Sequence, residues 1–158
     1  MIQIHPNIYL GNDEDVKKTD DSWYVVHACK EPYHRKALGY KGRAPDKSDP
    51  EYLYAERGTQ LMLNLVDAGD VNYISREVVN KAISWITPKY QFAKVLIHCN
   101  EGQSRCCLIG MLFLASIGKL PTDFGSAEQA FIKIYPKYAP NLGVKVFLRN
   151  NYSKYRKA

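Results

Sequence analysis

The chain has 158 residues, of which 46% are hydrophobic and 24% charged, so it can bury one core but is too short for two comfortable domains. A formal net charge of +6 favours anionic ligands such as phosphates, without separating a phosphoprotein from a nucleic acid. The start of the chain has no basic, apolar leader, and the longest apolar run, 106–117, is too short to span a bilayer. We therefore expect a cytoplasmic protein that does not enter membranes.

Four segments are rich in β-branched and aromatic residues and predict strands, namely 3–10, 23–29, 60–66 and 94–98. The last of them is short, almost entirely apolar and followed by a turn that contains glycine. This pattern is typical of a central strand buried on both faces.

Four further segments have helical periodicity: 73–86, 105–117, a segment opened by the capping-box pattern Ser126-x-x-Gln129, and one that follows Pro140-Asn141. Pro88 and Pro136 are expected to end the first and the third. Since strands alternate with helices, the predicted fold class is α/β: one domain over 1–158, with a central, mainly parallel sheet of about four to five strands flanked by helices.

Residues 30–58 form a polar insertion with three prolines and no sustained period. Stretches of this kind have a function about as often as they are merely solvent-exposed surface loops. One hypothesis is a basic aromatic rim beside the active site, built from Tyr33, His34, Arg35, Tyr40, Lys41 and Arg43.

The most informative segment joins the 94–98 strand to the 105–117 helix and reads His98-Cys99-Asn100-Glu101-Gly102-Gln103-Ser104-Arg105. A turn at this position directs successive N–H groups into one concavity, which binds a phosphate dianion and lowers the pKa of a cysteine. Gly102 allows a close approach of the backbone to the ligand. Arg105 offers a planar fork for two phosphate oxygens. Cys99 is therefore predicted to be a nucleophile and Arg105 a phosphate ligand.

The loop resembles the signature of the protein tyrosine phosphatase superfamily, His-Cys-x5-Arg, and is most similar to that of the small dual-specificity branch. The segments Tyr9-Leu10-Gly11-Asn12 and Pro140-Asn141-x-Gly143 are similar to that branch as well. The resemblance implies hydrolysis of phosphomonoesters on a protein or peptide through a cysteinyl-phosphate intermediate, without metal or cofactor. A monomer is favoured.

The resemblance also implies roles for further residues. Asp67, 32 positions before Cys99, becomes the general acid, with Asp70 as its rival. His98 supports the loop. The phosphate is bound mainly by the backbone of the loop residues, Asn100, Glu101, Gly102, Gln103 and Ser104, with the Glu101 side chain turned away from the anion.

Cys106 departs from the family pattern, which has Ser or Thr after the arginine. That hydroxyl stabilises the leaving thiolate when the phosphoenzyme breaks down, and a thiol is a weaker donor. A slow second step is therefore predicted. A role for Cys106 as a disulfide partner of Cys99 under oxidation is an alternative.

Two other functions are compatible with the sequence. An RNA 5′-phosphatase of the same superfamily fits the positive net charge. A phosphate-binding pseudophosphatase fits the unusual Cys106. Sulfur or arsenate chemistry is disfavoured, because Cys99 has no well-spaced redox partner, and the four cysteines form no zinc-type pattern.

Overall fold

The computed structural model describes residues 1–156 and contains a six-stranded mixed sheet. Its strands are β1 (Ile2–His5), β2 (Ile8–Gly11), β3 (Tyr24–His27), β4 (Tyr54–Arg57), β5 (Gln60–Leu63) and β6 (Val95–His98). They lie in the order β1-β2-β6-β3-β5-β4. The pairs β2–β6, β6–β3 and β3–β5 are parallel, and the outer pairs are antiparallel. The predicted α/β class with a mainly parallel sheet is confirmed.

Six α-helices accompany the sheet: α1 (Asp13–Val16), α2 (Arg35–Leu38), α3 (Arg76–Lys89), α4 (Arg105–Ser116), α5 (Phe124–Ile134) and α6 (Leu142–Tyr155). A π-helical turn at Lys30–His34 and a 3-10 turn at Val71–Tyr73 complete the regular structure. Within the described residues, no helix is both long enough and apolar enough to cross a membrane.

The centre of the fold is the connection from β6 to α4. All four residues of β6 are buried, and α4 is buried at every position from Cys106 to Ala115. A parallel strand covered on both faces and a helix surrounded by protein both need apolar residues on all sides, as their sequences have. The loop between them is thus attached to the two most enclosed elements of the molecule.

Two strand predictions need correction. The segment 3–10 is not one strand but the hairpin β1–β2, because the chain reverses at Pro6-Asn7, where Asn7 has a φ of +67°. Strand β4 was not predicted, since its sequence Tyr-Ala-Glu-Arg is polar. It lies at the edge of the sheet, paired with β5 across a turn in which Gly58 has a φ of +60°.

Two helix boundaries also differ from expectation. Pro88 lies inside the last turn of α3, where the only helical bond that its missing N–H removes is the one to the Ser84 carbonyl. Helix α5 is capped by Asp123, whose carboxylate accepts from the Ser126 N–H at 2.9 Å. Ser126 is therefore the third residue of α5 rather than its cap.

The 30–58 insertion is more ordered than its composition suggests. It contains the π-helical turn, α2 and β4, and His34 is fully buried between the Tyr40 hydroxyl at 2.9 Å and the Glu51 carbonyl at 2.8 Å. Arg35 pairs with Glu31 at 2.7 Å. The predicted basic aromatic rim is therefore wrong for His34, which contributes to the interior of the insertion instead.

Candidate active site

The loop between β6 and α4 turns its carbonyl groups towards the protein. Three of them accept hydrogen bonds from distant segments: Asn100 from the Asp13 N–H at 3.3 Å, Gln103 from the Ala139 N–H at 2.9 Å, and Gly102 from the Tyr135 hydroxyl. Within residues 1–156, no N–H group from Asn100 to Arg105 donates to a protein oxygen or nitrogen. These donors are left for an anion, which is the arrangement of a phosphate-binding nest.

Gly102 is required by the loop for two reasons. Its φ is +75°, and a Cβ atom at this position would lie 3.0 Å from the carbonyl carbon and oxygen of Gly11. An L-residue is therefore disfavoured by its backbone conformation and by contact with β2. The loop packs directly on the end of that strand.

Cys99 lies at the bottom of a pocket of about 450 Å³. The side chain is 3% exposed, and this small opening faces the pocket rather than the core. The other lining residues are Asp67, Asn100, Glu101, Gln103, Ser104, Arg105, Ala139, Pro140 and Asn141. The structure therefore brings the predicted nucleophile, phosphate ligand and general acid to one cavity.

The prediction of a lowered pKa for Cys99 is wrong for the protein without a bound anion. A hydrogen bond with the Cys106 thiol and burial raise the pKa of Cys99 above its usual value. The Cys106 N–H and the Arg105 guanidinium act in the opposite direction and do not outweigh them. With its pKa above the ordinary value, the Cys99 thiol needs a base to become a nucleophile at neutral pH.

Arg105 is aimed at the pocket by two fixed contacts. Its Nη1 donates to the Leu65 carbonyl at 3.1 Å and its Nη2 to the Asn100 side-chain oxygen at 2.8 Å. The Nε–H is buried and has no hydrogen-bond partner among the described residues. A buried, unpaired guanidinium N–H costs free energy, and an anion in the loop would remove that cost.

Asp67 is held at the mouth of the pocket by Ser104 and Asn141. The Ser104 hydroxyl donates to Asp67 Oδ1 at 2.8 Å and accepts from the Asn141 N–H at 2.9 Å. The Asn141 side chain donates to the Asp67 carbonyl at 2.9 Å. Its rival Asp70 is outside the pocket and caps the 3-10 turn, accepting from the Asn72 N–H at 2.9 Å.

His98 is part of a buried side-chain network behind the loop. Its Nε2 lies 2.6 Å from Nδ1 of His27, whose ring stacks on Tyr33 with the centroids 4.2 Å apart. Burial lowers the pKa of His98 to about 3 and that of His27 to about 4. Both rings are therefore neutral at physiological pH, and His98 has no exposed face from which to exchange a proton with a substrate.

One grouping within residues 1–156 has the chemistry of a metal site. Donor atoms of Asp13, Cys29 and His98 lie within 4.8 Å of one another. Asp13 already accepts from the Tyr33 hydroxyl at 2.9 Å, and His98 contacts His27. These three residues lie behind the loop, and none of them lines the pocket. We assign no metal to the group.

Two side chains, Asn100 and Asn141, have supporting roles in the site that were not predicted from the sequence. The Asn100 amide donates to the Asp13 carboxylate at 3.1 Å and to the Glu31 carbonyl at 2.9 Å, so it positions Arg105 rather than facing the ligand. Asn141 supports Asp67. Of these, only Asn141 had a sequence signal, as the cap of α6 after Pro140.

Comparison with known proteins identifies the fold. No family model matches the sequence, and no curated protein matches it either. The structure of DUSP15 aligns with a TM-score of 0.67 at 18% identity, over 99% of this chain and 92% of its own. Human DUSP28 gives 0.58 at 14% identity, over 98% and 91% of the two chains. A leucine-rich-repeat and phosphatase-domain protein from Entamoeba histolytica gives 0.59 at 18% identity, over 99% and 95%. The chain therefore has the fold of the small dual-specificity phosphatases of the protein tyrosine phosphatase superfamily.

Proposed function

We propose that the protein is a cysteine-dependent phosphatase that hydrolyses phosphomonoesters through a phosphorylated Cys99. The observation that carries the proposal is that Arg105, whose buried Nε–H has no hydrogen-bond partner within residues 1–156, lines the same pocket as Cys99. Together with the N–H groups of the loop, the Arg105 guanidinium forms a cradle suited to an anion. The shared fold with known phosphatases supports the same reaction class.

In the first step, a substrate phosphate binds to the loop N–H groups and Arg105. The Cys99 thiol loses its proton to the bound dianion, whose conjugate acid has a pKa of about 6, and the Cys106 N–H and the Arg105 guanidinium stabilise the resulting thiolate. The sulfur then attacks phosphorus, the bond to the ester oxygen breaks, and Asp67 gives that oxygen a proton. The products are cysteinyl-phosphate and the free alcohol.

In the second step, Asp67 accepts a proton from water as the water oxygen attacks phosphorus. The S–P bond breaks, and the sulfur leaves as a thiolate that must be stabilised by its neighbours. The Cys106 thiol interacts with the Cys99 sulfur and is the side chain proposed to donate to it as it leaves. Because a thiol is a weak donor, this step is the slower one.

The charges around the pocket favour a phosphorylated protein side chain over a polyphosphate. The loop contributes no lysine, and its rim carries the carboxylates of Glu101 and Asp67 beside the single guanidinium of Arg105. The Glu101 carboxylate repels the additional charges of an inositol polyphosphate or of a triphosphorylated RNA end, and Asp67, which must carry a proton in the first step, offers them no positive charge. Phosphotyrosine is the primary substrate in this proposal, with phosphoserine and phosphothreonine as further substrates.

The test is hydrolysis of p-nitrophenyl phosphate in reducing buffer by the parent protein, Cys99→Ser and a matched control, Cys107→Ser. Cys107 is a buried thiol of α4 that does not line the pocket. We expect complete loss of activity for Cys99→Ser and retention in the control. Phosphate binding without turnover in the parent would refute the proposal in favour of a pseudophosphatase. Faster release of phosphate from 5′-triphosphorylated RNA than from phosphopeptides would favour an RNA phosphatase.

A further inference from the structure

A second pocket, of about 420 Å³, lies beside the catalytic one and belongs partly to the 30–58 insertion. It is lined by Lys30, Arg43, Ala44, Tyr52, Leu53, Asn64, Val66, Asn72, Tyr73 and Ser75. Two of these side chains are cationic and none is anionic. A concave surface with this charge balance attracts an acidic group.

Several polar groups in this pocket have no partner of their own. Within residues 1–156, neither the Arg43 guanidinium nor the hydroxyls of Tyr52 and Tyr73 form a hydrogen bond or an ion pair. The Lys30 ammonium donates to the Arg43 carbonyl, which ties the loop around residue 43 to the start of the insertion. Arg43 is therefore free to bind a ligand. The Lys30 ammonium, which its hydrogen bond to the Arg43 carbonyl holds in position, adds a second positive charge to the pocket.

The wall between the two pockets is a single extended segment. Val66 lines the second pocket, and the next residue, Asp67, lines the catalytic one. The Leu65 carbonyl accepts from the Lys30 N–H at 2.9 Å and from Arg105 Nη1 at 3.1 Å. Because consecutive Cα atoms are only about 3.8 Å apart, one short peptide can occupy both pockets.

We propose that the second pocket is a specificity site for an acidic side chain of the substrate, located within a few residues of the phosphorylated one. The inference rests on the proposed function, since it takes the substrate to be a phosphopeptide. Arg43 is its main ligand, and a glutamate, an aspartate or a second phosphorylated residue carries the chemistry that it recognises. Of the residues in the basic rim predicted from the sequence, Arg43 lines this pocket, and Lys30 lines it as well.

The test is binding of fluorescent phosphotyrosine peptides to the Cys99→Ser protein, measured by anisotropy so that no turnover is needed. A single glutamate is moved through positions −4 to +4 of an otherwise alanine-based peptide. We expect one or two adjacent positions to bind about tenfold more tightly than the all-alanine peptide. Arg43→Gln, added to the same background, should reduce this preference to about twofold, and Arg43→Glu should reverse it.

Lys41→Gln is the matched control, because it removes the same charge from the same segment but lies outside the pocket. It should keep the preference for glutamate. Equal binding of all peptides, or equal loss of the preference in Lys41→Gln and Arg43→Gln, would overturn the inference. So would competition by a 5′-triphosphorylated RNA that depends on Arg43 and is stronger than that of the acidic peptide. If the proposed function itself is wrong, the parent protein will not hydrolyse p-nitrophenyl phosphate, and this result is independent of the peptide-binding experiment.

Discussion

Replacement of Cys106 by serine is the most informative single change in the site. Cys106 is fully buried at the start of α4, and its hydrogen bond with Cys99 is the largest cause of the raised Cys99 pKa. A serine hydroxyl at this place is a stronger donor and does not compete for the negative charge. Cys106→Ser should therefore stabilise the Cys99 thiolate, both in the free protein and as the leaving group of the phosphoenzyme.

The size of the effect follows from the hydrogen bond. A hydrogen bond to a charged group contributes roughly 1.5–3 kcal/mol, and a thiol donor supplies only part of this, so the gain is about 1–2 kcal/mol. That corresponds to a decrease of about one unit in the pKa of Cys99. It also corresponds to an increase of about 5–30-fold in the rate of phosphoenzyme hydrolysis.

Two assays measure the rate of phosphoenzyme hydrolysis and the pKa of Cys99 separately. Rapid mixing of the parent with p-nitrophenyl phosphate should give a burst of p-nitrophenol close to one equivalent of enzyme, and Cys106→Ser should show a smaller burst and faster turnover. The rate of Cys99 alkylation by iodoacetamide rises with pH as the thiol ionises, and the variant should reach its midpoint at lower pH. A parent without a burst, together with equal turnover in Cys106→Ser, would refute the reasoning.

Three further changes test other parts of the site. Asp67→Asn should lower kcat for a phosphotyrosine peptide by about 10²–10⁴-fold, and much less for p-nitrophenyl phosphate, whose leaving group needs no proton; an equal loss on both substrates would contradict an acid role. Gly102→Ala should cost at least about 1–2 kcal/mol of stability and displace the loop from Gly11, which urea unfolding and an activity assay will detect. Asn100→Ala leaves Arg105 without one of its two contacts, and kcat/KM should fall about tenfold; because Asn100 also bonds Asp13 and the Glu31 carbonyl, the urea midpoint should fall as well.

The sequence was a reliable guide where local chemistry decides the structure. The short apolar strand before Cys99 and the uniformly apolar helix after it predict the central β6–α4 unit, since no other arrangement buries such segments. The edge strand β4 could not be predicted in the same way. Its polar sequence forms a strand only because β5 lies across the Gly58 turn and supplies the pairing.

The side-chain contacts that support the site could not be predicted from the sequence, for a different reason. Asp13 and Asn100 are 87 positions apart, and Tyr33 and His27 meet Asp13 and His98 only after the sheet has formed. Their residue types are ordinary in loops and strands, so no local pattern marks them. The wrong prediction for the Cys99 pKa has the same origin, because the opposing effect comes from a packed neighbour and not from the loop itself.

The hydrogen bonds of the Asn100 side chain explain how the phosphate-binding loop and Arg105 keep their positions. Its amide contacts the Asp13 carboxylate and the Glu31 carbonyl, and its oxygen accepts from Arg105. One side chain thereby connects the first residue of α1, the insertion and the guanidinium. Among the described residues the buried Arg105 Nε–H has no partner, and the hydrogen bonds of this network hold the guanidinium in place despite that cost. A phosphate then meets donors that are already oriented, so its binding energy is not spent on ordering the site.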